Sequence, residues 1–150
     1  MERWTYLSIA GIVIAIDRLL KWWVQGHVFI PRAIVPGFIR LSLVHNPGGA
    51  FGIFPGSGLL FILVSALVSA AIAATLIFVP MRGRLLKVGL SLVLGGALGN
   101  LIDRVMYGYV LDFFEVRWFS VFNFADACIT VGVAMIIIHT LFFGGEPDRA

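Results

Sequence analysis

The sequence predicts an all-α polytopic membrane protein: four transmembrane helices, with a small extracytoplasmic β-structure in the first outer loop. Three observations predict it. The 150-residue chain is 60% hydrophobic and only 13% charged, with a mean hydropathy of +1.01. A soluble domain is about 45–50% apolar and about 25% charged. So few charges cannot cover the surface of a soluble monomer, and the same numbers exclude disorder. Apolar runs close to the ~20 residues that cross a bilayer recur along the chain. The longest connection between them carries a strand-like alternation.

The first span runs from about Trp4 to Val24 and is interrupted by Asp17, Arg18 and Lys21. These charges, and the lack of a small-residue cleavage site, argue against a cleaved signal peptide. The loop from about Gln25 to Gly56 contains Pro31, Pro36, Pro47 and Pro55. Within it Ile39, Leu41 and Leu43 alternate with Arg40 and Ser42, the period of a half-buried strand. Span 2, Ser57 to Val79, carries no charge. A short loop, Pro80 to Lys87, holds Arg82, Arg84 and Lys87. Span 3, Leu85 to Arg104, ends in Asn100, Asp103 and Arg104, and its Gly95-x-x-x-Gly99 spacing suits close helix packing in lipid. The third loop, about Val105 to Phe122, holds Asp112, Glu115 and Arg117. Span 4 covers residues 126–145. No polar segment is long enough for a soluble domain, so residues 1–150 read as one membrane-embedded domain.

The basic second loop belongs on the cytoplasmic side by the positive-inside rule. Four spans then place both termini in the cytoplasm and the first and third loops outside. A net charge of +3, small and scattered, gives no footprint for nucleic acid. Cys128 is the single cysteine, so neither an intrachain disulfide nor a cysteine-rich metal site can form. His27, His45 and His139 lack metal-ligand spacing, and the residues call for no metal and no cofactor.

The acidic residues carry the functional signal. Of eight Asp and Glu, Asp17, Asp103, Asp112 and Asp126 lie in or beside spans, where a charge costs at least about 2.5–3.5 kcal/mol near the bilayer centre. By this topology all four converge on the outer face. Asp17 and Lys21 are spaced i, i+4 with the acid first, the order of a helical ion pair. Asn123 and Asp126 have the spacing of a capping box for span 4. That reading is compatible with catalysis, because a helix N-terminus also holds a carboxylate. No nucleophile elbow is present. Two neighbouring carboxylates sharing a proton remain the economical catalytic set, and Asp112 and Asp126 are placed best to form it. The ionised member would activate water and the protonated one would polarise a peptide carbonyl. The helix N-terminus points to Asp126 as the ionised partner and Asp112 as the protonated one. A small proton-coupled transporter is the alternative use of membrane aspartates.

At these residues the chain resembles the lipoprotein signal peptidases, the type II signal peptidases of bacteria. Gly95-Gly96-Ala97-Leu98-Gly99-Asn100-Leu101-Ile102-Asp103-Arg104 is similar to the family's central block. Val110-Leu111-Asp112-Phe113 and Phe122-Asn123-Phe124-Ala125-Asp126 are similar to its two aspartate blocks. Asp17-Arg18-Leu19-Leu20-Lys21 departs from the usual Asp-Gln-x-Thr-Lys, and Asn46-Pro47-Gly48-Gly49-Ala50-Phe51 from Asn-x-Gly-Ala-Ala. The resemblance implies a monomer of the bacterial cytoplasmic (inner) membrane with both termini cytoplasmic and its active site near the outer face. It implies removal of the signal peptide from diacylglyceryl-modified prolipoproteins, cut just before the lipid-modified cysteine, among membrane lipids and without a metal. By the match Asp112 and Asp126 are catalytic. Asn46, Gly48, Asn100, Arg104 and Asn123 line the substrate site, and Asp17, Lys21 and Asp103 support it. The glycine-rich span 3 and the first-loop segment Asn46 to Gly52 are expected to clamp an extended peptide by backbone contacts.

Overall fold

A computed structural model describes residues 2–48 and 58–143 of the chain. Four helices run in chain order: α1 (Glu2–His27), α2 (Gly58–Phe78), α3 (Arg84–Tyr107) and α4 (Phe124–Phe142). Three of them, α2, α3 and α4, are long and apolar enough to cross a membrane. α1 has the length, 26 residues, but its apolar run is broken by Asp17, Arg18 and Lys21. α3 reaches back to Arg84, so Arg84 and Lys87 sit in the helix and not in the preceding loop. It ends where Gly108 takes a left-handed φ of 78°, its N–H donating to the Arg104 carbonyl. A residue without Cβ reaches that conformation at no steric cost.

The strands correct one expectation. β1 (Arg32–Val35) and β2 (Ile39–Asn46) come from the α1–α2 connection, but β3 (Val110–Val116) and β4 (Val121–Phe122) come from the α3–α4 connection. They form one antiparallel sheet in the order β1-β2-β3-β4, so the β-structure is not confined to the first loop. β3 carries no strand signature in the sequence because residues 110–113 are all buried, and a strand covered on both faces shows no alternation. β2 keeps part of the expected pattern. Leu41 and Leu43 pack with Val24, Val28 and Phe113 into a small core under the sheet. Ser42, expected to face solvent, is buried, with its hydroxyl 2.5 Å from a Glu115 oxygen.

α3 is the central helix. Gly95 and Gly99 make the close helix contact their spacing suits, and the partner is α1: a Cβ on Gly99 would lie 2.9 Å from Asp17 Oδ2. A Cβ on Gly96 would run into the Ala125 carbonyl of α4. α3 can therefore touch α1 and α4 together, which brings Asp17, Asn100, Asp103 and Asp126 to one level.

Candidate active site

α4 begins as its first residues prescribe. Asn123 caps it: the Asn123 Oδ1 accepts from the Asp126 N–H at 2.9 Å, and Asp126 Oδ2 accepts from the Asn123 N–H at 3.2 Å. This reciprocal pair satisfies two orphan donors of the first turn and holds the Asp126 carboxylate at the mouth of the helix. The cap does not exhaust Asn123. Its amide Nδ2 donates to Asp112 Oδ1 at 2.8 Å and to Asn100 Oδ1 at 3.0 Å. Asn123 is fully buried and ties β3, α3 and α4 together behind the two carboxylates.

Asp112 lies in β3, paired in register with Val44 of β2. Its second oxygen accepts from Asn46 Nδ2 at 2.9 Å. Asn100, one turn before Asp103 on α3, donates from Nδ2 to Asp126 Oδ1 at 2.7 Å. Both candidate catalytic aspartates are thus held by amide groups, and no ion pair reaches either among the described residues. Burial pushes the Asp112 carboxyl up to about 6, and the charge of Asp126 adds to the rise; the Asn46 and Asn123 donors and the Lys21 charge pull it back.

Asp17 and Asp103 have different company. Lys21 Nζ sits 2.8 Å from Asp17 Oδ2 and 2.7 Å from Asp103 Oδ2. Arg18 Nη2 bridges the same two acids, at 3.1 and 2.5 Å. Backbone donors add to the cluster: Asp17 Oδ1 accepts from the Ala125 N–H, and Asp103 Oδ2, already beside Lys21, also accepts from the Leu111 N–H, both at 3.2 Å. Two basic and two acidic side chains close the cluster, with Asp17, Lys21 and Asp103 buried and Arg18 at its partly exposed edge. Lys21 also donates to Asn100 Oδ1 at 3.2 Å, which orients the amide whose other end holds Asp126. Lys21 was expected to pair with Asp17. Arg18 as a second bridging cation was not anticipated, because its only sequence signal is its place beside Asp17.

A cavity of about 520 Å³ opens over the two amide-held carboxylates. Asn46, Asn100, Arg104, Asp112 and Asp126 line its polar end, and Phe119, Phe122, Ile129 and Val131 line an apolar flank. Gly48 is buried beside it. Its N–H donates to Asn46 Oδ1 at 3.0 Å, and its carbonyl accepts from Arg104 Nη2 at 3.3 Å. The Arg104 guanidinium also lies over the Phe61 ring, 5.3 Å from its centroid. Of the residues expected to line the substrate site, Asn123 and Gly48 do not line the cavity; Asn123 stands behind the carboxylates and Gly48 reaches the site through Asn46 and Arg104. Residues 49–52 of the anticipated clamp, including Gly49, lie outside the described residues. No cluster of three or more His, Cys, Asp or Glu positioned for a metal occurs among the described residues.

A polytopic helix bundle with buried carboxylates around one cavity defines a class, the membrane-embedded proteins with a polar site among apolar helices. Comparison places the chain within it. Residues 9–142 match the signal peptidase (SPase) II family. The lipoprotein signal peptidase of Moorella thermoacetica is 42% identical over 147 residues, covering 96% of this chain and 97% of that protein. The lipoprotein signal peptidase of Desulfitobacterium hafniense is 43% identical over 134 residues, covering 87% and 89%. A solved bacterial membrane enzyme superposes with a TM-score of 0.87 at 30% identity, covering 97% of this chain and 93% of that one. The chain belongs to the signal peptidase II family, and it is a peptidase. The transporter alternative falls with that assignment.

Proposed function

We propose that this membrane peptidase removes signal peptides from diacylglyceryl-modified prolipoproteins by an aspartic mechanism centred on Asp112 and Asp126, cutting before the lipid-modified cysteine. The observation that carries the reading is the arrangement of these two acids. They stand at the polar end of one cavity, oriented by amides, with no cation in ion-pair contact among the described residues. Asp126, at the N-terminal turn of α4, acts as the carboxylate that takes a proton from water. Asp112 acts as the acid that donates a hydrogen bond to the scissile carbonyl oxygen. Water adds to the carbonyl carbon, and the resulting gem-diol collapses as a proton reaches the leaving amide nitrogen. Asn100 and Asn46 hold the two carboxylates in orientation, and Asn123 holds Asp112 against the α4 cap. Arg104 and Gly48 form the polar rim over which an extended peptide lies. Asp17, Lys21 and Asp103 fix the frame.

In this reading α1 is the fourth span and residues 1–150 form one domain that works as a monomer. Both termini are cytoplasmic, and the cavity opens near the outer face of the bacterial inner membrane. A diacylglyceryl anchor keeps the scissile bond at that interface, where the helix ends present the dyad. The test uses purified protein in lipid with a diacylglyceryl-modified prolipoprotein and follows the new N-terminus by mass spectrometry. Wild type cuts before the modified cysteine, while folded D112N and D126N do not. Cleavage by either variant at the wild-type rate would remove that aspartate from the chemistry. Labelling of single cysteines placed in the Pro80–Arg82 turn and near Trp118 checks the orientation: the first should be reached only from inside and the second only from outside.

A further inference from the structure

The far end of the bundle carries a second cavity that the peptidase reading leaves unused. Its volume is about 340 Å³, and it is lined by Arg3 and Tyr6 of α1, Leu76 of α2, Val79, Pro80 and Met81 of the connection, and Lys87 of α3. Arg3 and Lys21 are 18 positions apart on one helix, so at 1.5 Å per residue this cavity lies about 27 Å from the charged cluster. It is one bilayer's thickness away, not a lobe of the same site.

Its chemistry is two-sided. Leu76 belongs to a buried core with Ala10 and Leu94, and Tyr6 and Met81 pack against that core, which gives the cavity an apolar floor. Its rim is cationic: Arg3 on one side and Lys87 on the other, with Lys87 Nζ 5.4 Å from the centroid of the Tyr6 ring. Arg82 and Arg84 follow on the adjoining turn and helix start. None of its lining residues is acidic. A pocket with an apolar floor and two cations at a helix end suits a group that is anionic at its head and hydrocarbon below. A basic pocket among membrane helices is the recognised setting for a phosphate diester headgroup.

We propose that this cavity binds the headgroup of an anionic phospholipid, with the phosphate between Arg3 and Lys87 and the acyl chains descending beside α2. The site is independent of the dyad and stands whether or not the peptidase mechanism does.

The test measures thermal unfolding of the full chain in neutral detergent titrated with phosphatidylglycerol, phosphatidylcholine or inorganic phosphate. Phosphatidylglycerol should raise the midpoint in a saturable way, and phosphatidylcholine should not. Arg3→Gln and Lys87→Gln should each weaken the apparent affinity about fivefold, and the double variant should lose the saturable shift. Lys87→Arg should retain it, which separates lost charge from lost packing. Arg32→Gln, an exposed cation on β1 at the sheet end, should also retain it and controls for general charge. Three outcomes would overturn the proposal: an equal shift with phosphatidylcholine, an undiminished shift in the folded double variant, or a shift reproduced by inorganic phosphate alone. The last would assign the pocket to a free anion.

Discussion

Two pairs of acids converge at one end of the bundle, and their neighbours separate their roles. Asp17 and Asp103 are 0% and 1% exposed, Asp112 is 2% exposed and Asp126 is half-buried, so depth does not separate Asp112 from the first pair. Asp17 and Asp103 share Lys21 and Arg18 as ion-pair partners. Asp112 and Asp126 receive amide protons, and both line the cavity. An amide orients a carboxyl without dictating whether it is ionised, whereas an ammonium or guanidinium favours the charged form. Contact with cations makes a strut; contact with amides alone leaves a carboxyl that can exchange a proton, as Asp112 does near pH 6.

The comparison is broken most directly at the amide-held pair. D126N and D112N should each lower kcat at least about a thousand-fold, since an aspartic mechanism has no substitute for either acid–base role. Both should still fold. D112N should melt higher than wild type at pH 7.5, because a folded-state pKa of about 6 is raised above the ordinary carboxylate value. The protonated form is stabilising below the unfolded pKa near 4. That contribution is lost as pH rises through about 6, so at pH 7.5 the native Asp112 is a buried charge that Asn does not carry. The melting advantage should shrink toward pH 5.

The cation-held pair should respond in the opposite way. Lys21→Met removes a buried ammonium that touches Asp17, Asp103 and Asn100. Breaking one partner out of a buried ionic cluster costs about 3–5 kcal/mol, so loss of folded protein should precede any loss of chemistry. Arg18→Gln is milder, because Arg18 is 27% exposed in its side chain and Lys21 still spans both acids. A lowered melting point with kcat nearly intact in the fraction that folds is expected. A K21M protein that melts normally but cannot cleave would move Lys21 from the frame into the reaction.

Asn123 sits between the two regimes and separates cap from bridge. Asn123→Ala should lower stability by about 1 kcal/mol through the lost cap and lower kcat about ten- to a hundredfold, because Asp112 loses a donor. Asn123→Ser keeps a capping oxygen but lacks the amide hydrogens that reach Asp112 and Asn100. It should therefore recover the melting point while leaving kcat depressed. Recovery of both together would reduce Asn123 to a helix cap.

How much of this was legible depended on the range of the interaction. The α4 start could be read from Asn123 and Asp126, which are three residues apart, and Asp17 with Lys21 from their i, i+4 spacing. Gly95 and Gly99 announced a close helix contact. The convergence of four aspartates followed from topology. Their division into two pairs did not, because it depends on Asn46 reaching Asp112 across 66 positions and Lys21 reaching Asn100 across 79. No local pattern marks such partners. β3 was hidden for a related reason: strand alternation is a signature of one wet face, and Val110 to Phe113 have none.

The smallest effect sharpens the comparison furthest, because it acts on a proton and leaves the fold alone. The free-enzyme pH profile of kcat/KM should fall as pH rises past about 6, where Asp112 loses the proton it lends to the carbonyl oxygen. The dyad titrates as a coupled pair, so the limb belongs to both acids together. Asn46 donates to Asp112 Oδ2 and stabilises the ionised form. Asn46→Ala removes that donor, so the proton should leave at higher pH and the basic limb should move upward. A purely structural role for Asn46 would scale kcat/KM equally at every pH and leave the limb in place. An upward shift that disappears on a D112N background, measured by the carboxyl infrared band where activity is lost, would fix the titrating group on β3.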